Sequence, residues 1–537
     1  MIQGTGSNVG KSVVATALCR VLAQDGYITA PFKSQNMALN SFVTKEGGEM
    51  GRAQVVQALA ARIEPHVDMN PILLKPTGDM KSQVIVSGKP IGTMRWSEYR
   101  QLRDKLFAES LAAYSRLARR CQAIVIEGAG SPAEVNLKEG DIVNMRIALA
   151  TGAPVFLVTD IDRGGALAWV IGTLELLPPE ERALVRGIII NKFRGDKAYL
   201  QPGLDFLEKR TGIPVVGVMP YVKDLGVAAE DSVALEDTGT SSAENSGEGR
   251  GVLHIAVIRL PLISNFTDFD ALAGERDVSL RFVPPGAPLR PADCVIIPGS
   301  KNTLHDLDHL WSSGTAAEIQ SFAAQGGCVL GICGGYQMLG LELNDPEGVE
   351  SSAGRMAGLG LLPVRTTLAA EKTTYQVSGS ADWPIAGFWS DTGAGETTGT
   401  GRNSFRTSSL PIRGYEIHCG HTVLLGGNPW ITLERHGTAS GKDPGIAPGI
   451  ASGAALLRDG CLVSTPVGNG FIAGTYVHGL FDEPPFRRAF LNHLRRRKGW
   501  EPYESENGQE TDAFDRLAEL ARKNLDIPAI YQAMNLI

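Results

Sequence analysis

Two short stretches of this chain place reactive residue types at spacings that chemistry demands. The first is Gly4-Thr5-Gly6-Ser7-Asn8-Val9-Gly10-Lys11-Ser12, which follows a very short run, Met1–Gln3, and opens a helical pattern. Gly6 and Gly10 let backbone N–H groups turn inward around phosphate oxygens, and the helix start adds the positive end of its dipole. Lys11 is then placed to reach the β- and γ-phosphates of ATP, and the Ser12 hydroxyl to hold Mg²⁺. The second stretch is Gly331-Ile332-Cys333-Gly334-Gly335, between an apolar strand and a helical pattern at Tyr336–Leu343. A G-x-C-x-G turn has the mechanics of a nucleophile elbow, in which flanking glycines allow a strained backbone that thrusts the side chain out. A helix N-terminus behind it favours the thiolate.

Each stretch needs partners. Glu127, in Ile124-Val125-Ile126-Glu127-Gly128, ends a strand-like run and suits a second metal position beside Ser12. Asp160 and Asp162 end another, where open parallel sheets bind their ligands, although Asp also favours helix N-caps. For the thiol, His478 in Gly474-Thr475-Tyr476-Val477-His478-Gly479 is the best placed of nine histidines to act as base. Pro298-Gly299-Ser300-Lys301 follows a strand-like run, so Gly299 and Ser300 are candidates for an oxyanion hole. His418, Cys419 and His421 form an H-C-x-H cluster, but strand spacing sends them to different faces and no fourth ligand is evident. A zinc site is not expected there.

The elements that must position these groups read as α/β. Ala123–Ile126, Pro154–Thr159, Gly187–Ile190 and Pro214–Val218 are short Val- and Ile-rich runs of the kind buried on both faces of a parallel sheet. Helical patterns at Ser12–Gln24, Glu98–Arg119 and Gly164–Leu176 lie between them, which implies a doubly wound sheet. A polar stretch, 236–251, then reads as a linker. Strand-like runs resume at Leu253–Ile258, Ser279–Val283, Cys294–Ile297, Cys328–Ile332 and Phe471–Val477, giving a second α/β domain. Ser378–Ser409 and His436–Gly453 look like surface insertions. The expected division is 1–235, a linker at 236–251, a second domain at 252–498 and a helical tail at 499–537.

Bulk composition narrows the partners. The chain has 537 residues, enough for two or three domains, and 43% are hydrophobic. A formal net charge of -7 argues against nucleic acid, and no apolar run approaches a membrane span. The opening residues carry no secretory pattern, and seven scattered cysteines suit a reducing cytosol. A cytoplasmic protein with small-molecule partners is therefore expected. The oligomeric state is open, a homo-oligomer included.

The phosphate loop resembles that of the dethiobiotin synthetase group, whose first glycine also precedes a threonine and whose members activate carboxylates. The elbow and His478 resemble a class I glutamine amidotransferase, a flavodoxin-like domain in which cysteine attacks the glutamine carboxamide, forms a thioester and releases ammonia. The glutamate usual two residues after the histidine is replaced here by Leu480, as in the cobyric acid synthase branch. Longer blocks point the same way: Pro31 to Ser41, Glu49 to Gln54, Asp68 to Pro76, Glu127 to Glu134, Asp160 to Gly165 and Gly414 to His418 all resemble the cobyric acid synthase family. That resemblance implies ATP- and glutamine-dependent amidation, with Mg²⁺, of the b, d, e and g carboxylates of adenosylcobyrinic acid a,c-diamide. It also implies that Lys33, Gln35 and Asn36 belong to the first active site, while Asn191 resembles the position that contacts adenine in dethiobiotin synthetase relatives.

Two rivals follow from the same residues. Cobyrinic acid a,c-diamide synthase shares both domain types, but the block at Phe32–Asn40 and Glu416-Ile417-His418 favour the first family. A partitioning-type ATPase switch with a decayed glutaminase would need a lysine early in the phosphate loop, and positions 4 to 9 hold none.

Overall fold

The computed structural model describes residues 1–78, 80–222, 251–351, 354–384, 407–436, 456–503 and 512–537. The chain forms two compact units. One comprises Met1–Ala38, Gly48–Glu230 and Gly508–Ile537, the other Leu39–Gly47 and Asp231–Asn507. Most of the expected linker lies outside the described residues. Among those described, no helix is long and apolar enough to cross a membrane.

In the first unit, the strands Ile2–Gly4, Val155–Asp160, Val185–Phe193 and Val215–Pro220 run parallel in that order. A parallel pair, Thr29–Phe32 with Ala123–Ile126, joins them through a bridge between Ile2 and Glu127. The central strand Val155–Asp160 is buried along its whole length, which is why it reads as an unbroken apolar run. The carboxyl ends of Ile2–Gly4 and Ala123–Ile126 deliver the phosphate loop and Glu127. The helix Lys11–Gln24 begins at the loop. The terminal helices Ala513–Asn524 and Ile527–Ala533 do not stand apart as a tail. Leu517, Ala518 and Ala521 are buried in the core of this unit, and Asp515 accepts from Arg20 at 2.7 Å. A second sheet, Gln35–Met37, Ile72–Gly78, Lys81–Val86 and Lys89–Arg95, was not evident from sequence.

In the second unit the sheet runs Val278–Val283, Leu253–Ile258, Cys294–Ile297, Cys328–Ile332, Phe471–Thr475 and Cys461–Ser464. The first five are parallel and the last antiparallel. Beside it stands a long antiparallel hairpin, Val364–Pro384 with Thr407–Leu424. The ends of the stretch read as an insertion therefore belong to this hairpin, while 385–406 lies outside the described residues. Trp383 explains the difference: its ring is buried and packs edge-on against Trp430 at 5.4 Å and Phe471 at 5.0 Å. One large aromatic anchors a segment whose Gly, Ser and Thr content resembles a loop.

Candidate active sites

The phosphate loop is tied together by its own lysine and by a neighbour. Lys11 Nζ donates to the carbonyls of Gly6 at 2.8 Å and Gly130 at 3.1 Å. Gly10 has φ 98°, and a Cβ there would come within 2.0 Å of Asn191 Nδ2. Only glycine satisfies both conditions. The same Nδ2 donates to the Val9 carbonyl at 2.8 Å, so Asn191 sits under the loop. The Thr5 hydroxyl reaches that of Thr159 at 3.0 Å, using the threonine that stands where a glycine is common.

Glu127 is the hub of this site. It is fully buried, with Ser12 Oγ donating to one oxygen at 2.9 Å and Lys33 Nζ to the same oxygen at 2.9 Å. Gln57 donates to the other. A buried carboxylate needs this degree of pairing. Asn36 donates to Gln54 at 3.1 Å, and Gln35 accepts from the Tyr99 hydroxyl. Asp160 is buried and engages Lys192 Nζ at 2.8 Å, which also donates to the Asn8 carbonyl of the loop at 2.7 Å. Asp162 is exposed and pairs with Arg194 at 2.9 Å. The structure thus brings Lys11, Ser12, Lys33 and Glu127 into one cluster and links Asp160 to the loop through Lys192, whereas Asp162 points to the surface pair.

In the second unit, Cys333 has φ 53° and ψ −109°, outside the ordinary regions for a residue with a side chain. Its backbone N–H donates to the Thr475 carbonyl at 2.8 Å, and the helix Gly334–Leu339 starts directly behind it. A Cβ on Gly335 would sit 2.0 Å from the Ile297 carbonyl, so the elbow can press against the neighbouring strand only with glycine there. The thiol donates to the Ile417 carbonyl at 3.5 Å. Gly299 lies against the His478 ring, and Ser300 N lies beside Gly334. The Ser300 hydroxyl itself is engaged with Asp306 at 2.6 Å.

His478 pairs with a buried acid. Asp268 Oδ2 lies 2.6 Å from His478 Nδ1, and Oδ1 accepts the Gly479 N–H at 3.1 Å. Both side chains are buried. Burial alone would lower the His478 pKa, but the Asp268 carboxylate, and after it the neighbouring Cys333, outweigh burial and push the value up to about 10.

The H-C-x-H cluster gathers no metal site among the described residues. Instead the His418 ring stacks on Tyr476 at 3.7 Å, and burial first, then nearby positive charge, lowers its pKa to about 3.

A family model described as a CobQ/CobB/MinD/ParA nucleotide binding domain matches residues 1–234. One described as a CobB/CobQ-like glutamine amidotransferase domain matches residues 254–486. A protein of Pelotomaculum thermopropionicum named cobyric acid synthase is 49% identical over 551 residues, covering 100% of this chain and 96% of its own length. The chain belongs to the cobyric acid synthase family. Its relatives of that name include one from Dehalococcoides mccartyi, 47% identical with 100% and 98% covered. Another, from Moorella thermoacetica, is 50% identical with 93% and 89% covered. As a cobyric acid synthase family member, the chain is an amide-forming ligase with a nucleotide-binding domain and a glutamine amidotransferase domain.

With Leu480 in the place of the usual glutamate, the sequence leaves the third member of the glutaminase triad open. In the structure the acid that meets His478 is Asp268, on the turn Phe266–Phe269, 210 residues earlier. Its only sequence signal is an acid inside the aromatic run Phe266-Thr267-Asp268-Phe269.

Proposed function

We propose that this enzyme amidates the b, d, e and g carboxylates of adenosylcobyrinic acid a,c-diamide to give adenosylcobyric acid, a step of adenosylcobalamin formation, using ATP and glutamine in the cytoplasm. The observation that carries the reading is a strained Cys333 facing a His478–Asp268 pair in the same chain as a lysine-closed phosphate loop.

On the glutamine side, Cys333 Sγ attacks the carboxamide carbon, and N–H groups of the Gly299–Ser300 turn and Gly334 take the developing oxyanion charge. His478, held by Asp268, donates its proton to the departing ammonia and then draws one from the water that releases glutamate. On the ATP side, backbone N–H groups of the loop and Lys11 bind the phosphates. Ser12 and Glu127, hard oxygen donors 2.9 Å apart, fit Mg²⁺, which when bound draws charge off the phosphates. A substrate carboxylate oxygen attacks the terminal phosphorus and ADP leaves. Ammonia then attacks the acyl phosphate carbon and inorganic phosphate departs. Lys33, held against Glu127, is placed to offset charge that builds on the transferring group.

Incubation with ATP, Mg²⁺ and glutamine tests the substrate. The a,c-diamide should gain four amides by mass spectrometry and cobyrinic acid none. Conversion of cobyrinic acid alone would assign the chain to diamide synthesis instead.

A further inference from the structure

The segment Leu39–Gly47 belongs in sequence to the ATP-dependent half, between Ala38 and Gly48 of the first unit, yet folds as part of the glutaminase unit. Its contacts there converge on one residue. Asn40 Oδ1 accepts the Phe266 N–H at 3.0 Å, and the Ser41 N–H donates to Asn265 Oδ1 at 2.9 Å. That second bond fixes the Asn265 amide so that its nitrogen lies 3.4 Å from His478 Nδ1. Asn265 also accepts the Asp268 N–H at its carbonyl, 3.0 Å, and holds a left-handed φ of 54°. The turn that carries Asp268 is therefore pinned from the strap. Tyr415 stacks on the face of the His478 imidazole with ring centres 5.2 Å apart and planes at 16°. The Tyr415 hydroxyl donates to the Ser41 carbonyl at 3.0 Å, and Phe42 packs edge-on against the same ring at 5.1 Å.

We propose that Asn40 and Ser41 are positioning residues of the glutaminase, so that a segment of the synthetase sequence sets the orientation of His478. The inference rests on the glutaminase reading of Cys333 and His478. Asn40 and Ser41 are both buried, so removal of the Asn40 side chain leaves the buried Phe266 N–H without an acceptor and loosens the turn that aims Asp268. The strap's effect passes through Asn265, Asp268 and Tyr415 to the imidazole.

The test uses the full chain. Asn40→Ala should lower kcat for glutamine-driven amidation about 10-fold or more with KM for glutamine within about two-fold, while amidation driven by ammonium chloride stays within about two-fold. Tyr415→Phe keeps the stacked ring and loses the bond to Ser41, so its kcat loss should be smaller, about three-fold. Unchanged glutamine kcat in Asn40→Ala would overturn the proposal. An equal loss of both routes would also overturn it, because that marks a general folding defect. A Cys333→Ser chain that still consumes glutamine would instead sink the glutaminase reading on which the proposal stands.

Discussion

The two sites are prepared in opposite ways. The nucleotide site is a set of neutralised charges: Glu127 already satisfied by Ser12, Lys33 and Gln57, and Lys11 folded onto backbone carbonyls. A charged ligand would enter by exchanging partners within this network. The glutaminase site is prepared by strain and imbalance, with Cys333 in a disfavoured backbone conformation and the His478 pKa pushed up to about 10 against burial by Asp268 and the neighbouring Cys333. Exchange suits a substrate that brings its own charge, as a triphosphate does. Pre-strained chemistry suits glutamine, whose carboxamide is neutral and must be attacked by a nucleophile already aimed.

Substitutions that respect this contrast should separate the two routes. Lys11→Ala strikes the charge network and should cost about 10²–10³-fold with glutamine and with ammonium alike, measured as amide product per minute. If only the glutamine route falls, the assignment of Lys11 to the phosphates is wrong. Asp268→Asn strikes the imbalance. It should cost about 100-fold in the glutamine route alone. The sign for pH follows from the raised His478 pKa: the imidazolium persists through neutral pH and is lost as pH rises through about 10. Removing the Asp268 charge lowers that pKa, so the alkaline limb of glutaminase kcat should move to lower pH in Asp268→Asn. An unmoved limb would show that Asp268 does not hold the charge. Asn191→Ala, which frees the Val9 carbonyl under the phosphate loop, should have the smallest effect, a rise of about five-fold in KM for ATP, from one buried hydrogen bond.

Local features were legible in the sequence. The phosphate loop occupies consecutive residues from Gly4 to Ser12, and its glycines, lysine and serine announce themselves by spacing alone. The Cys333 elbow is equally contiguous, and the parallel strands show as Val and Ile runs because both faces are buried. What the sequence hid depends on distance along the chain. Asp268 meets His478 across 210 residues, in a turn without a motif of its own. The strap Leu39–Gly47 looks like part of the block around it, and nothing in its composition says that it packs beside Tyr415. The hairpin ending at Trp383 reads as a loop because paired backbone in the strands Val364–Pro384 and Thr407–Leu424 tolerates Gly, Ser and Thr between its few buried anchors.

The division of labour between the two sites is tested most directly by Cys333→Ser in the full chain, assayed on the corrinoid diamide with ATP and Mg²⁺. Glutamine should then support no amidation above background, while ammonium chloride supports it at a rate within about two-fold of the unaltered chain. Glutamine-driven product from Cys333→Ser, or loss of the ammonium route with it, would contradict the account.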